Sequence, residues 1–507
     1  MTLLLFSVFP LHAGASSEPV TPQASPEARA LLKMLDKISG KYTLTGQHNY
    51  PNTLDKNSQF AAKYIGKIPA VWSTDMGFAE EGDKDSYLAR PDIIEEAKRQ
   101  HQLGSIIDIC WHAVPPTWDE PVTFRPQPGV GSPDSLASVQ GQLLDRQFRD
   151  VLTPGTFLYN RWCAQVDSVA FFLKKLQKAN IPVLWRPYHE MNGDWFWWGG
   201  RQGEYSTRDL YKQLFDRYVH VHHLNNLIWV WSVDRPNKPE MYFSFYYPGA
   251  DYLDVVALDV YGSDFNQTYY DSLLILANGK PLALGEVGNP PGSGILERQP
   301  GWTFYVTWAG MVRNTLKKQY RILMNNQRIL NLDDPVYHEI AAPYRDACHL
   351  LPLSLELTKK PVNFSGTWVL NEDSSRLDSR GAAQLPYQLT VTQTDSELII
   401  QKTFIMEWED NRIVKERLIL DGKEHGSEIW NSPGIIKASR SEKGKSINIE
   451  SMVTFSRGNR TFEMILNEIW RLKDEGDILS IEQYSKSFRG ERTITMIFNR
   501  THCLTDP

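Results

Sequence analysis

Two glutamates close apolar runs that read as β-strands: Glu190 in "LWRPYHEMNGDWFWWGG" (184–200) and Glu286 in "PLALGEVG" (281–288). A pair of carboxylates flanking a glycosidic bond is the minimal machinery for hydrolysing a glycan. One protonates the leaving oxygen; the other attacks the anomeric carbon or activates water. The neighbours of Glu190 suit that chemistry. Arg186, His189 and Asn192 would be costly as random core residues, because buried polar and charged groups need partners. Gathered at the open end of a strand they form a polar floor, and Trp195, Trp197 and Trp198 supply apolar walls. Indole faces stack on the C–H faces of sugar rings, so the setting is shaped for a pyranose. Packed among tryptophans, Glu190 is expected to keep its proton, since desolvation disfavours the charged form. Gly285 and Gly288 bracket Glu286 and permit close backbone approach.

These residues need elements that bring them together. From Lys41 to about Leu350, short apolar runs alternate with helical patterns. Strands are expected at 42–47, 69–74, 104–112, 181–190, 226–234, 254–262, 281–288 and 304–310. Several are almost continuously hydrophobic, as parallel strands covered on both faces are. Helices are expected at 91–104 and 165–180; in the latter, Val166, Val169, Ala170, Leu173 and Leu176 form one stripe. Eight strands alternating with helices predict an α/β fold, a (β/α)8 TIM barrel, with a doubly wound sheet as the alternative. In the barrel, Glu190 ends strand four, Glu286 ends strand seven, and both enter the same mouth. His112 and Tyr261 lie at the ends of strands three and six. Asp234 and Asp259 read as structural, and Gln47 and His48 either reach the mouth or support it.

Beyond residue 362 the pattern changes to short alternating runs at 387–393, 397–406, 412–420, 446–455, 461–472, 478–488 and 492–500. Period-two patterning with turns between predicts an antiparallel meander closing into a lipocalin-like barrel. The expected division is a signal-like N-terminus at 1–22, a catalytic barrel at 23–352, a linker at 353–362 and an all-β accessory domain at 363–507. The role of that last domain stays open between glycan binding, binding of a small apolar ligand and simple capping.

The chain has 507 residues and a net charge of -6, with no basic block of the kind that tracks phosphates, which argues against a nucleic-acid partner. Cys110, Cys163, Cys348 and Cys503 show no metal-ligand spacing and read as core thiols. The run Leu3 to Leu11, followed by small residues, resembles a secretory signal without its positive region. A secreted or periplasmic monomer is therefore expected. No later segment approaches the ~20 apolar residues of a membrane span.

"WRPYHEMNGDWFWWG" and "LGEVG", with "YPGADYLDVVALDVYG" between them, resemble glycoside hydrolase family 26, a family of β-mannanases, over about Lys41 to Leu350. The resemblance implies a retaining endo-β-1,4-mannanase working on polysaccharide without metal or cofactor. It implies Glu190 as acid/base and Glu286 as nucleophile. His189 would help hold sugar and nucleophile, Tyr261 would stand beside the nucleophile, and His112 would contact the sugar. Trp195 and Trp308 resemble aromatic platforms, while Trp197 and Trp198 either join them or pack beneath. The long insert from Ala113 to about Arg161 leaves linkage and cutting mode open, since the family also holds β-1,3-xylanases and mixed-linkage β-glucanases. A non-catalytic glycan-binding protein is the reading from a different class.

Overall fold

Strands that are apolar on both faces must be covered on both, and the first part of the chain does this by closing on itself. In the computed structural model, β1 (Thr43–Asn49), β2 (Val71–Asp75), β3 (Ile106–Trp111), β4 (Val183–Pro187), β5 (Leu227–Asp234), β6 (Val255–Val260), β7 (Leu282–Val287) and β8 (Trp302–Thr307) pair in parallel, and β8 returns to β1. This is the expected barrel. A two-residue strand, β9 (Ile329–Leu330), adds to β1. The structure describes residues 18–77, 86–132, 134–353, 362–378, 381–382, 384–394, 396–406, 410–429, 432–441, 445–457, 460–473, 476–487 and 490–501. The signal-like run, most of the expected linker and Cys503 lie outside them. The chain forms two units, Met1–Thr358 and Lys359–Pro507.

Side-chain alternation sorts the barrel residues. Leu44, Val71, Ile106, Leu184, Val255, Ala283 and Phe304 fill the interior with apolar residues of the helices Pro26–Ile38 and Pro335–Ala347. The alternate set, including Trp185, Trp229, Leu258 and Leu284, points outward into an apolar layer shared with Val166 and Leu173 of the helix Phe157–Lys178 and Leu273 and Ala277 of the helix Gln267–Ala277. That helix starts eight residues before the expected 165, where the Thr156 hydroxyl caps it by accepting from Tyr159 N. The helix Arg90–Leu103 ends at Gly104, whose φ of +112° suits a glycine C-cap. Cys110, Cys163 and Cys348 are buried free thiols.

The second unit is a ten-stranded antiparallel sheet: β10 (Gly366–Leu370), β11 (Gln388–Gln393), β12 (Glu397–Phe404), β13 (Arg412–Ile419), β14 (Glu424–Ile429), β15 (Ser432–Arg440), β16 (Ser446–Arg457), β17 (Arg460–Lys473), β18 (Ile478–Ser487) and β19 (Gly490–Arg500). Pairing of β10 with β19 curls it into a nearly closed barrel whose two edges are β13 and β14. Inward residues such as Leu398, Ile400, Ile449, Leu479 and Ile481 form its core. Strands β10, β14 and β15 were not expected.

Candidate active site

Toward the C-terminal ends of the strands, the barrel interior turns polar. Ser73 donates to Asp108 at 2.7 Å, and Ser232 donates to Asp259 at 2.9 Å. Arg186 lies fully buried beside them. On β7 the alternation is broken once. Leu258 pairs with Leu284, but Asp259 pairs with Glu286, so Gly285 is an extra residue in the strand. Strict alternation would send Glu286 to the outer side with Leu284; the bulge returns it to the mouth. Only glycine fits there, because a Cβ would lie 2.6 Å from Asp259 Oδ1.

Glu190 is aimed by the turn after β4. Tyr188 and Glu190 both adopt left-handed backbone, with φ of 49° and 51°, a conformation costing roughly 1–3 kcal/mol for non-glycine residues. The turn is held from several sides. Trp162 Nε1 donates to the Tyr188 hydroxyl at 2.9 Å, and Trp198 Nε1 donates to the His189 carbonyl at 2.9 Å. Asn192 Nδ2 donates to the Asp234 carbonyl at 2.7 Å, while its Oδ1 accepts from Asp234 N at 2.7 Å. Trp195 folds back across Gly193, where a Cβ would lie 2.2 Å from the indole.

The two carboxyls meet in the mouth under opposite conditions. One oxygen from each of Glu190, Asp259 and Glu286 lies within 4.8 Å of the other two. Glu286 accepts from Arg186 Nη2 at 2.7 Å on Oε1 and from the Tyr261 hydroxyl at 2.5 Å on Oε2. Among the described residues Glu190 has one donor, Trp195 Nε1, at 2.6 Å. Burial pushes the Glu190 carboxyl well above the usual carboxylate range, and the nearby charges of Glu286, Asp259 and Asp234 push further than Trp195 pulls back.

A chain of buried groups leads to Glu286 from β2. Asp75 Oδ2 accepts from His112 Nδ1 at 2.5 Å and from Cys110 Sγ at 3.0 Å, and Oδ1 accepts from Gly77 N at 2.8 Å. Burial alone would raise the Asp75 carboxyl, but His112, Cys110 and Gly77 outweigh it and hold the group below the usual carboxylate range. A carboxylate only accepts, so hydrogen-bond logic puts a hydrogen on His112 Nδ1, and in the neutral ring Nε2 is then bare. His112 Nε2 lies 3.2 Å from His189 Nε2, which must then carry a hydrogen; that nitrogen also stands 3.6 Å from Glu286 Oε1. His189 Nδ1 is buried without a partner among the described residues, which suits a bare ring nitrogen. Burial, with His112 and Arg186 nearby, keeps the His189 ring well below the ordinary histidine range and hence neutral.

Around the carboxyls is a cavity of about 390 Å³. Of the expected residues, Glu190, Glu286, His112, His189, Trp195, Tyr261 and Trp308 line it. Three do not: Arg186 and Asn192, expected in the sugar-facing floor, and Trp198, left open between platform and packing. Arg186 lies beneath the floor, bound to Glu286 and Asp259. Asn192 spends its amide on backbone of the β5 end. Trp198 is fully buried behind Phe196, ring centroids 4.5 Å apart, so no indole face is left for a ligand. His48 supports the site by stacking on Trp308 at 3.8 Å, and Gln47 donates to the Ala309 carbonyl at 2.6 Å. The insert contributes Phe124, Arg125 and Gln140 to the wall. Asp75 and Tyr50 were not expected; Asp75 follows the predicted strand 69–74 by one position.

The model of glycosyl hydrolase family 26 matches residues 20–334. The chain belongs to glycosyl hydrolase family 26. Among family 26 relatives it is 30% identical to a mannan endo-1,4-β-mannosidase of Thermothelomyces thermophilus over 62% of this chain and 62% of that protein. It is 31% identical to a mannan endo-1,4-β-mannosidase of Bacillus subtilis, over 65% of this chain and 92% of that one. The solved structure of GH26A from a Muricauda species is 39% identical, with a TM-score of 0.57, and covers 62% of this chain and 98% of its own. The chain thus spans about three-fifths of the Thermothelomyces relative.

Proposed function

We propose that this family 26 member is a retaining endo-β-1,4-mannanase in which Glu190 is the acid/base and Glu286 the nucleophile. The observation that carries the reading is the pair of carboxyls, with oxygens within 4.8 Å, in unequal surroundings. Retaining glycosidases hold the two groups ~5–5.5 Å apart, whereas inverting ones leave ~6.5–9.5 Å for water. The preference for mannan rests on the similarity to relatives named mannan endo-1,4-β-mannosidases.

In the first step Glu190 protonates the leaving glycosidic oxygen while Glu286 attacks the anomeric carbon from the opposite face. Trp195 Nε1 then stabilises the carboxylate that Glu190 becomes. Arg186 and Tyr261 hold Glu286 in place for attack. In the second step Glu190 takes a proton from water, which displaces Glu286 and restores both groups. Trp195, Trp308, Phe124 and Phe196 frame the cavity with aromatic surface.

The test is release of reducing ends from mannan, galactomannan, β-1,3-xylan and mixed-linkage glucan, with the anomer of the first product followed by NMR. Mannan cleavage with retained configuration is expected, lost in Glu286→Ala. No activity on mannans defeats the substrate assignment; an inverted product or an active Glu286→Ala variant defeats the mechanism.

A further inference from the structure

The second unit lies outside the family match, and its interior changes character along the barrel. At one end Phe364, Trp368, Leu398, Leu479 and Phe498 are buried and fill the space. Toward the other end the strands enclose a cavity of about 670 Å³, within the ~300–1,000 Å³ of small-molecule sites. Its wall mixes aliphatic residues, among them Leu389, Val414, Ile436, Ile449 and Leu466, with polar and charged ones. A barrel whose only task is structural fills its interior with side chains; this one leaves a cavity.

Polar groups cross the cavity in one belt. On β12 and β13, Lys402 Nζ pairs with Glu416 Oε2 at 2.8 Å. On β17 and β18, Glu468 accepts from Gln483 Nε2 at 2.8 Å and from Trp470 Nε1 at 2.9 Å, so both its oxygens are engaged by neutral donors. An ammonium has three donors, and among the described residues Glu416 takes one of them. A cation with donors to spare, set in a wall that also presents aliphatic side chains, is complementary to a ligand that carries an acceptor and an apolar body. Trp470, the tryptophan of that wall, is buried with its N–H spent and offers a sugar ring no open indole face.

We propose that the C-terminal barrel binds a single-chain amphiphile, its aliphatic chain in the cavity and its carboxylate at Lys402. The test uses the full chain and dodecanoate, with dodecanol and mannohexaose as comparison ligands, by titration calorimetry. Saturable binding of one dodecanoate per chain is expected. Ile436→Trp, which fills the cavity, should abolish it. Lys402→Met with Glu416→Gln, which removes the ion pair together, should weaken dodecanoate by about tenfold or more and leave dodecanol unchanged. A bromine-labelled dodecanoate should quench the tryptophan fluorescence of the wild-type chain saturably, and unlabelled dodecanoate should reverse it, a readout that needs no variant; Trp470→Phe should be quenched less. Absence of saturable dodecanoate binding, equal binding or quenching in the variants, or displacement of dodecanoate by mannohexaose would overturn the proposal. Mannan hydrolysis, assayed on the same samples, reports separately on the first unit.

Discussion

Replacing Asp75 by asparagine tests whether the buried chain behind Glu286 works through tautomers. The change is nearly isosteric. Asparagine keeps an acceptor for Gly77 N only by placing its carbonyl at the Oδ1 position, which turns its NH2 toward His112 Nδ1. His112 must then move its hydrogen to Nε2, and two N–H groups face each other across the 3.2 Å gap to His189. The opposite amide orientation sets NH2 against Gly77 N–H instead. A buried hydrogen bond replaced by a donor–donor conflict costs about 1–3 kcal/mol, and relief comes by His189 shifting its hydrogen or turning from Glu286. If that cost falls on the transition state, kcat/KM drops roughly 10- to 100-fold. The loss should lie mainly in kcat, since the platforms that bind sugar are untouched. The assay is steady-state kinetics on mannan oligosaccharides beside 15N NMR of the imidazoles, which reads the tautomers directly. Activity within about threefold of wild type, or a His112 still protonated at Nδ1 in the variant, refutes the reasoning.

Two further outcomes follow from the same geometry. Trp195→Phe removes the donor that favours ionised Glu190, so the Glu190 carboxyl rises further. Because catalysis needs Glu190 protonated in the free enzyme, the alkaline limb of the kcat/KM profile moves to higher pH; a limb that stays put or moves down refutes this. Arg186→Met leaves Glu286 and Asp259 buried without their cation, which should cost about 3–5 kcal/mol. Denaturant unfolding should show a lowered midpoint, and an unchanged midpoint counts against the ion pair.

How far the sequence could be read depended on what each residue contacts. The barrel strands were legible because a short, continuous apolar run such as "LIWVWSVD", rich in β-branched and aromatic residues, suits a strand covered on both faces and little else. Strand β14, "EHGSEI", has one apolar residue, and β15, "SPGIIKASR", opens with proline and glycine near its start; both take their conformation from pairing with neighbours rather than from local preference. Glu190 and Glu286 were visible because each closes an apolar run, although Glu190 lies in the turn after β4 and Glu286 within β7. Asp75 was not, since its meaning lies in His112, 37 positions on, and adjacency across a sheet leaves no local mark. The tryptophans divided for a similar reason. Trp195 and Trp198 are the same side chain three positions apart, and only the left-handed turn at Glu190 and the space over Gly193 send one to the cavity and the other to the core.

The extra residue at Gly285 makes the direction of Glu286 a matter of counting rather than chemistry. A conservative exchange at Leu284 or Val287 alters packing and leaves the carboxylate where it is. Inserting a single codon between Leu284 and Glu286 keeps every functional side chain in the protein yet shifts the offset by one, and regular pairing beyond the bulge would then point that carboxylate into the outer core. This stretch is therefore far less tolerant of length changes than of substitutions. Alignments of related chains should show Gly285 and its neighbours free of insertions and deletions even where residue identities drift.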